Sequence, residues 1–416
     1  MGDTAKLGTR SLASLQECPP ARRRDDAGSP VRTWMRRLHL WLGLGLGGLF
    51  AVISLSGSAL VFYVEIDRAL HPQVHPATPS PPLASADPDM WDRALATGRA
   101  RWHDPTGKWS FDVHGSQGSI PARYYPSPHQ GHHAAREMVW FSADGTQVLR
   151  AEPWGGYLMT WLYDLHMHLL AGDLGLQVVG WSGVAVLVLL ISGVAAWWPR
   201  GSWRKALAFK RGAVPLRRLR DIHKLSGLWS AALLFVLAGT GVLLALPEVK
   251  TQLLTWTVAT PEPLPSPTSR ATGQTRITIR QAVDAAHRAL PEGRLAFIDV
   301  PAAGTDPFRL RIQVPGDPHP RFPSSFVFVD QYTGQVLAMQ DARRGNGAMT
   351  VSKWVRVLHD GSVGGMATRI LAVILGLVPA LLFVTGILHW QRRMRARRAP
   401  ARSKASENEP TAVGAI

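Results

Sequence analysis

Of the 15 histidines in this 416-residue chain, four stand at matched places. His39 lies in "RRLHLWLGL" and His223 in "RDIHKLSGL", each four residues before a glycine, Gly43 or Gly227. His166 closes "WLYDLH" and His359 closes "WVRVLH", each five residues after a tryptophan, Trp161 or Trp354. Imidazole is a nitrogen ligand for transition metals and titrates near neutral pH. Each of the four borders a long apolar run, where an ionisable side chain is costly to bury. A lone histidine at such an edge reads as an interfacial polar residue. Two repeat-related pairs ask for a shared chemical partner.

The repeat extends well past the histidines. Eighteen residues after His39 and His223 come Gly57 and Gly241, each behind a hydroxyl, Ser56 or Thr240. After His166 and His359, glycine recurs at +6 (Gly172, Gly365) and +17 (Gly183, Gly376). A hydroxyl-glycine pair follows at +26 and +27, Ser192-Gly193 and Thr385-Gly386. Agreement at so many offsets identifies a duplicated unit of helix, outer domain, helix.

The elements that must position these residues are membrane helices. Four stretches, 40–64, 174–198, 225–247 and 370–390, carry no charge. About 20 apolar residues cross a bilayer as a helix. The first run is too deep in the chain and too long for a cleaved signal peptide. The net charge of +17 suggests nucleic acid until its location is considered. The arm before residue 39, the segment 199–224 and the tail after residue 390 hold 24 Lys/Arg and 7 Asp/Glu, which is the whole excess. Basic segments alternating with neutral ones follow the positive-inside rule and place both termini in the cytoplasm. Both halves then enter from one side, as a parallel repeat with its pseudo-twofold axis along the membrane normal. The one cysteine, Cys18, lies in the polar arm, so the outer segments hold no disulfide.

The expected division is a disordered arm (1–32), a first span (33–64), a periplasmic domain (65–156), a second span with a preceding helical turn (157–198), a basic loop (199–217), a third span (218–247), a second periplasmic domain (248–350), a fourth span (351–391) and a basic tail (392–416). In the outer segments, "VWFSADGTQVL" parallels "VFVDQYTGQVL", and each reads as a β-hairpin. Before the second, "TIRQAVDAAHRAL" has helical spacing. The fold class is thus a mostly α membrane protein, four transmembrane helices in a duplicated two-helix unit, with two periplasmic α+β insertions.

This topology puts His39 and His223 near the cytoplasmic face and His166 and His359 near the periplasmic face. Two facing imidazoles are what bis-histidine ligation of haem iron needs, and a helix bundle accommodates the apolar macrocycle. Gly43 and Gly227 would let it approach the backbone, or else serve ordinary close packing. His168, two residues after His166, falls about 200° round a helix. It has no repeat twin, and the headgroup region is its expected setting, with a propionate or substrate in reserve. His389 ends the fourth span and is an alternative inner ligand to His39 or His223. From His359 to His389 a continuous helix covers roughly 45 Å, too far for one haem to relay charge. No C-x-x-C-H for covalent haem is present. The run "GLGLGG" lies inside a span rather than after a strand, so it is no nucleotide loop. "HQGHH" (129–133) reads as a solvated loop.

The pieces "LHLWLGL", "SLSGSALVF", "LHMHLL", "ISGVAAWWPR", "IHKLSGLWS", "AGTGVLL", "VLHDGSVGG" and "VTGILHWQRR" together resemble the PepSY-associated transmembrane helix family, from about residue 33 to 393. The second hairpin with its preceding helix is similar to the PepSY module; the first outer segment departs from it with "YYPSPHQGHHAARE". The resemblance implies an iron-regulated inner-membrane protein akin to FoxB-type di-haem siderophore reductases. It implies two b-type haems on His39, His223, His166 and His359.

The expected activity is reduction of a periplasmic ferric siderophore, with electrons from a cytoplasmic or quinol donor. Expected partners are membrane lipid and periplasmic iron-uptake proteins, and no nucleic acid. Two other classes fit the same elements: a non-enzymatic PepSY-type regulatory membrane protein, and a metal-ion transporter. Against transport, the spans carry no mid-membrane carboxylate.

Overall fold

The computed structural model describes residues 30–74, 87, 89–113, 118–127, 136–199, 201–271, 273, 275–302 and 304–398. Cys18 and the "HQGHH" loop lie outside them. Among the described residues four helices are long and apolar enough to cross a membrane: α1 (Pro30–Leu60), α5 (Gly172–Trp197), α7 (Pro215–Ala245) and α11 (Gly365–Arg398). The chain is a multi-pass membrane protein. Helices α1 and α7 each pack along both α5 and α11, which sets α1 and α7 on one diagonal of the bundle.

Glycines make these contacts close. A Cβ on Gly47 would come within 2.7 Å of the Phe383 ring on α11. Gly183 on α5 similarly admits Val242 of α7. Lipid gives helices no hydrophobic reason to associate, so small residues that bring backbones together carry the packing. The glycine run that mimics a nucleotide loop is therefore a seat for Phe383.

Shorter helices α2 (Tyr63–Leu70), α3 (Met90–Trp102), α4 (Leu158–His168), α6 (Trp203–Leu207), α8 (Pro247–Thr257), α9 (Ile279–Ala289) and α10 (Gly347–His359) complete the α-helices among the described residues. Two sharp breaks separate short helices from spans. Between α4 and α5, Leu169 and Leu170 take left-handed φ of 49° and 58°. Between α10 and α11, Gly361 and Gly365 have φ of 74° and 65°. The stretch 351–391, expected as one span, is therefore two helices, and the turn before the second span is an 11-residue helix, α4. The glycine repeated at +6, Gly172 or Gly365, also takes a positive φ at the start of the following span, 56° and 65°, a backbone that costs a Cβ-bearing residue more than glycine. His168 is buried in the α4–α5 corner, its Nδ1 3.2 Å from the Gly172 carbonyl. It staples the break.

The described residues of the outer segments supply eight strands: β1 (Lys108–Asp112), β2 (Ser119–Tyr125), β3 (Glu137–Ser142), β4 (Val148–Pro153), β5 (Arg294–Val300), β6 (Phe308–Gln313), β7 (Ser325–Val329) and β8 (Val336–Gln340). Both expected hairpins are present, as β3–β4 and β7–β8. The two insertions are not separate bodies, however. They form one antiparallel sheet in the order β4-β3-β2-β1-β5-β6-β7-β8, joined where Phe111 pairs with Ile298. Helices α3 and α9 cover one face, over a shared core that includes Trp109, Phe111, Ile298 and Leu310. Period-two alternation sends the intervening residues, Asp112, Asp299, Arg309 and Arg311, to the other face. The α9 start is fixed by a capping box, Thr278 with Gln281. A second cluster of Val74, Met138, Trp140, Tyr157 and Met159 ties the sheet to α4.

Candidate functional site

Four histidines sit in four copies of one cradle. Helix α1 offers the Ile53 carbonyl to His166 Nδ1 at 2.8 Å. Helix α5 offers the Leu189 carbonyl to His39 Nδ1 at 3.0 Å. The Leu237 carbonyl of α7 meets His359 Nδ1 at 3.0 Å. On α11 the acceptor is the Thr385 hydroxyl, 3.0 Å from His223 Nδ1. Three residues beyond each carbonyl stands a hydroxyl that donates back to it: Ser56, Ser192 and Thr240. Thr385 donates to Leu381, which leaves its oxygen free to accept.

The acceptors decide the tautomer. A carbonyl only accepts, so Nδ1 carries the proton and Nε2 of the neutral ring keeps its lone pair. None of the four Nε2 atoms has a hydrogen-bond partner among the described residues.

A glycine follows each hydroxyl and gives the ring room. A Cβ on Gly57 would lie 2.7 Å from His166 Cε1; on Gly193, 2.8 Å from His39; on Gly241, 2.9 Å from His359; on Gly386, 3.4 Å from His223. These hydroxyl-glycine pairs were visible in the sequence as repeat markers. What they do was not, although "LSG" at 55–57, "ISG" at 191–193, "GTG" at 239–241 and "VTG" at 384–386 each stand on a span.

The cradled rings meet in pairs. His166 faces His359 with ring centroids 6.1 Å apart and planes at 38°. His39 faces His223 across the bundle diagonal at 6.3 Å and 80°. His389 has no ring contact with either member of that pair among the described residues. A Cβ on Gly43 would lie 3.8 Å from Leu189, and one on Gly227 3.4 Å from Leu382, so both face ordinary helix contacts beside two of the cradles.

The vertical spacing follows from α1 and α7. Ile53 comes fourteen residues after His39, and Leu237 fourteen after His223, so the two levels are about 21 Å apart at helical rise. This replaces the longer figure taken along 359–389, because His359 and His389 are on different helices.

Polar groups lock the sheet-side pair to the sheet. Asp360, next to His359, accepts from His319 Nε2 at 3.0 Å. Arg321 pairs with Asp112 of β1 at 2.9 Å. The Tyr63 and Tyr157 hydroxyls share a hydrogen bond of 2.7 Å. Burial pushes both phenols up, so both stay neutral.

A model of the PepSY-associated TM region matches residues 36–393. The chain belongs to that family. No curated protein matches the chain. The PepSY-associated match spans both copies of the repeat, so all four cradled histidines and the whole sheet lie within it.

Proposed function

We propose that the chain is a di-haem electron conduit of the bacterial inner membrane that reduces a ferric siderophore, Fe(III) to Fe(II), on the sheet side. The observation that carries this reading is the pair of histidine pairs, each with Nδ1 tied down and Nε2 free. Two imidazoles bound through Nε2 to one metal, at about 2 Å each, hold their ring centres about 6 Å apart. Both centroid separations, 6.1 and 6.3 Å, meet that requirement.

The donor set also suits haem better than a bare ion. Among the described residues no three His, Cys, Asp or Glu side chains gather as a metal site. A transporter built on these histidines would lack a third donor at either level. Haem would ask the protein for two nitrogen donors at each level, which His166 with His359 and His39 with His223 could supply.

When bound, haem supplies a one-electron carrier at each level. The rest is the work of this chain. His166 and His359 hold the sheet-side centre, and His39 with His223 the other. The Nδ1–H bonds fix each ring's orientation and strengthen Nε2 as a donor. Apolar span faces keep water from the buried levels. The electron comes from a cytoplasmic or quinol donor at the basic end. It ends on the chelated iron, whose hold by hard oxygen ligands weakens on reduction. Basic segments at the end opposite the sheet support an orientation with both termini in the cytoplasm.

Absorption of the detergent-purified chain before and after dithionite tests this. A Soret band with sharpened α and β bands on reduction supports it. A colourless protein with full helical circular dichroism sinks it. Activity is read separately, by trapping Fe(II) released from a ferric siderophore with a chromogenic chelator.

A further inference from the structure

Between the sheet and α10 lies a cleft of about 310 Å³ with three cations and one carboxylate in its lining. Its walls include Arg311 of β6, Phe326 of β7, Phe322, and Lys353 and Arg356 of α10. The Arg311 guanidinium sits 4.8 Å from the Phe326 ring centre, and that of Arg356 5.0 Å from Phe322. Neither arginine has a carboxylate partner among the described residues. The acids of this face are engaged elsewhere, Asp299 with Arg309 at 2.6 Å and Asp112 with Arg321 at 2.9 Å. Exposed Glu262 at the rim is the one carboxylate in the lining.

Half-buried like charges raise each other's energy. Burial, together with Arg309, Arg356 and Arg123, brings the Arg311 guanidinium down to about 10 despite Asp299. Lys250 of α8 is lowered by burial and by the same Arg356. Such a cluster is costly unless an anion completes it. These cation–π contacts hold both guanidinium groups beside rings, and a guanidinium can still take oxygen anions in pairs through its N–H groups. The volume lies at the small end of ligand pockets. Arg356 precedes His359 by one helical turn, so the cleft adjoins the sheet-side pair.

We infer that this cleft binds a small carboxylate-bearing anion and, resting on the reductase reading above, that it seats the carboxylate arm of a ferric chelate beside His359. Carboxylates could come from two sources here, a free chelate or the propionates of a haem held by His166 and His359.

The test uses the full-length protein in detergent, with equilibrium dialysis of citrate and ferric citrate and an uncharged ferric trihydroxamate as the comparison. Expected are binding of both citrate probes but not of the trihydroxamate, weakening with salt, and a Kd raised about tenfold by Arg356→Gln or Lys353→Gln. Haem absorbance should be unchanged in both variants. Citrate binding equal in wild type and variants, or absent from wild type, overturns the site. Loss of one centre's absorbance in Arg356→Gln assigns the cations to propionates and overturns it too. Lys353, half-buried on α10, carries the test if Arg356→Gln does not fold. A colourless protein that still binds citrate supports the anion site while sinking the reductase reading. A haem-bearing protein that ignores both probes does the reverse.

Discussion

The two histidine pairs share one cradle and differ in what carries them. His39 and His223 ride on the spans α1 and α7, with ring planes at 80°. His166 and His359 ride on α4 and α10, outside the spans, with planes at 38°. Those carriers are pinned to the sheet, through Trp140 against Tyr157 at 5.8 Å and through Asp360 to His319 at 3.0 Å. The deep pair is thus positioned by helix packing alone. The sheet-side pair is positioned jointly by a span and by the sheet, so events in the sheet can reach it without disturbing the other.

The strongest way to break this comparison is to remove one ring. His166→Ala or His359→Ala should remove about half of the haem absorbance and leave the deep centre intact. His39→Ala or His223→Ala should do the converse. His389→Ala should remove none, since its ring joins neither pair. Retention of the full spectrum in His359→Ala would show that the sheet-side pair holds nothing.

Next in size is a graded glycine series. Alanine at Gly57 must push against His166 at 2.7 Å, and alanine at Gly386 meets His223 at 3.4 Å, within a few tenths of ordinary contact. Overpacking of the first kind costs about 1–3 kcal/mol. Gly57→Ala should therefore weaken the sheet-side centre, Gly193→Ala and Gly241→Ala should act nearly as strongly on their own pairs, and Gly386→Ala should be mild. Haem retained per protein, measured after dilution into excess apomyoglobin, gives the order. An order unrelated to these distances would mean that the glycines do not seat the rings.

These two predictions rest on features of unequal visibility in the chain. Spans, the duplication and all four paired histidines were legible, because uncharged runs and fixed offsets survive in one dimension. Both hairpins and α9 were legible from alternation and helical spacing. The union of two insertions in one sheet was not, since β1 pairs with β5 across a gap of nearly two hundred residues that holds two spans. The break after His359 falls in a glycine-rich, charged stretch, 360–369, while that after His168 turns on Leu169 and Leu170, whose left-handed backbone leaves no mark in the sequence. Carbonyl acceptors such as Ile53 leave no side-chain trace at all. Arg311 and Arg356 read as ordinary surface charges until the fold puts them in one cleft.

A smaller effect should come from the link between sheet and α10. Asp360→Asn keeps the shape but replaces a carboxylate that accepts from His319 with a neutral amide. A hydrogen bond to a charged group contributes about 1.5–3 kcal/mol. The variant should shift the sheet-side centre in its reduced-minus-oxidised spectrum and leave the deep one unmoved. Equal shifts in both centres would contradict the independence of the pairs.

Acid provides the mildest probe, because it acts on the sheet surface. Burial alone would raise Asp104, yet hydrogen bonds from the Ser127 N–H, the Tyr124 hydroxyl and Thr106 bring it down to about 2. Asp144 is also held at about 2, by the Ser142 hydroxyl first and then by Thr146. A carboxylate lowered in the fold stabilises it fully above its unfolded value near 4, and that stabilisation fades as pH falls from about 4 to about 2. Both groups are largely solvated, which keeps each contribution small. Tyr124, the Asp104 partner, stacks on Trp109 in the sheet core at 4.8 Å, so tryptophan fluorescence reports the change. Asp104→Asn should unfold at lower denaturant than wild type at pH 6, with the gap closing between about pH 4 and pH 2. A gap that persists unchanged at pH 2 would show that the carboxylate's charge is not what anchors this end of the sheet. Closure of the gap without movement of the deep pair's spectrum would place the sheet and the deep pair in separate folding units.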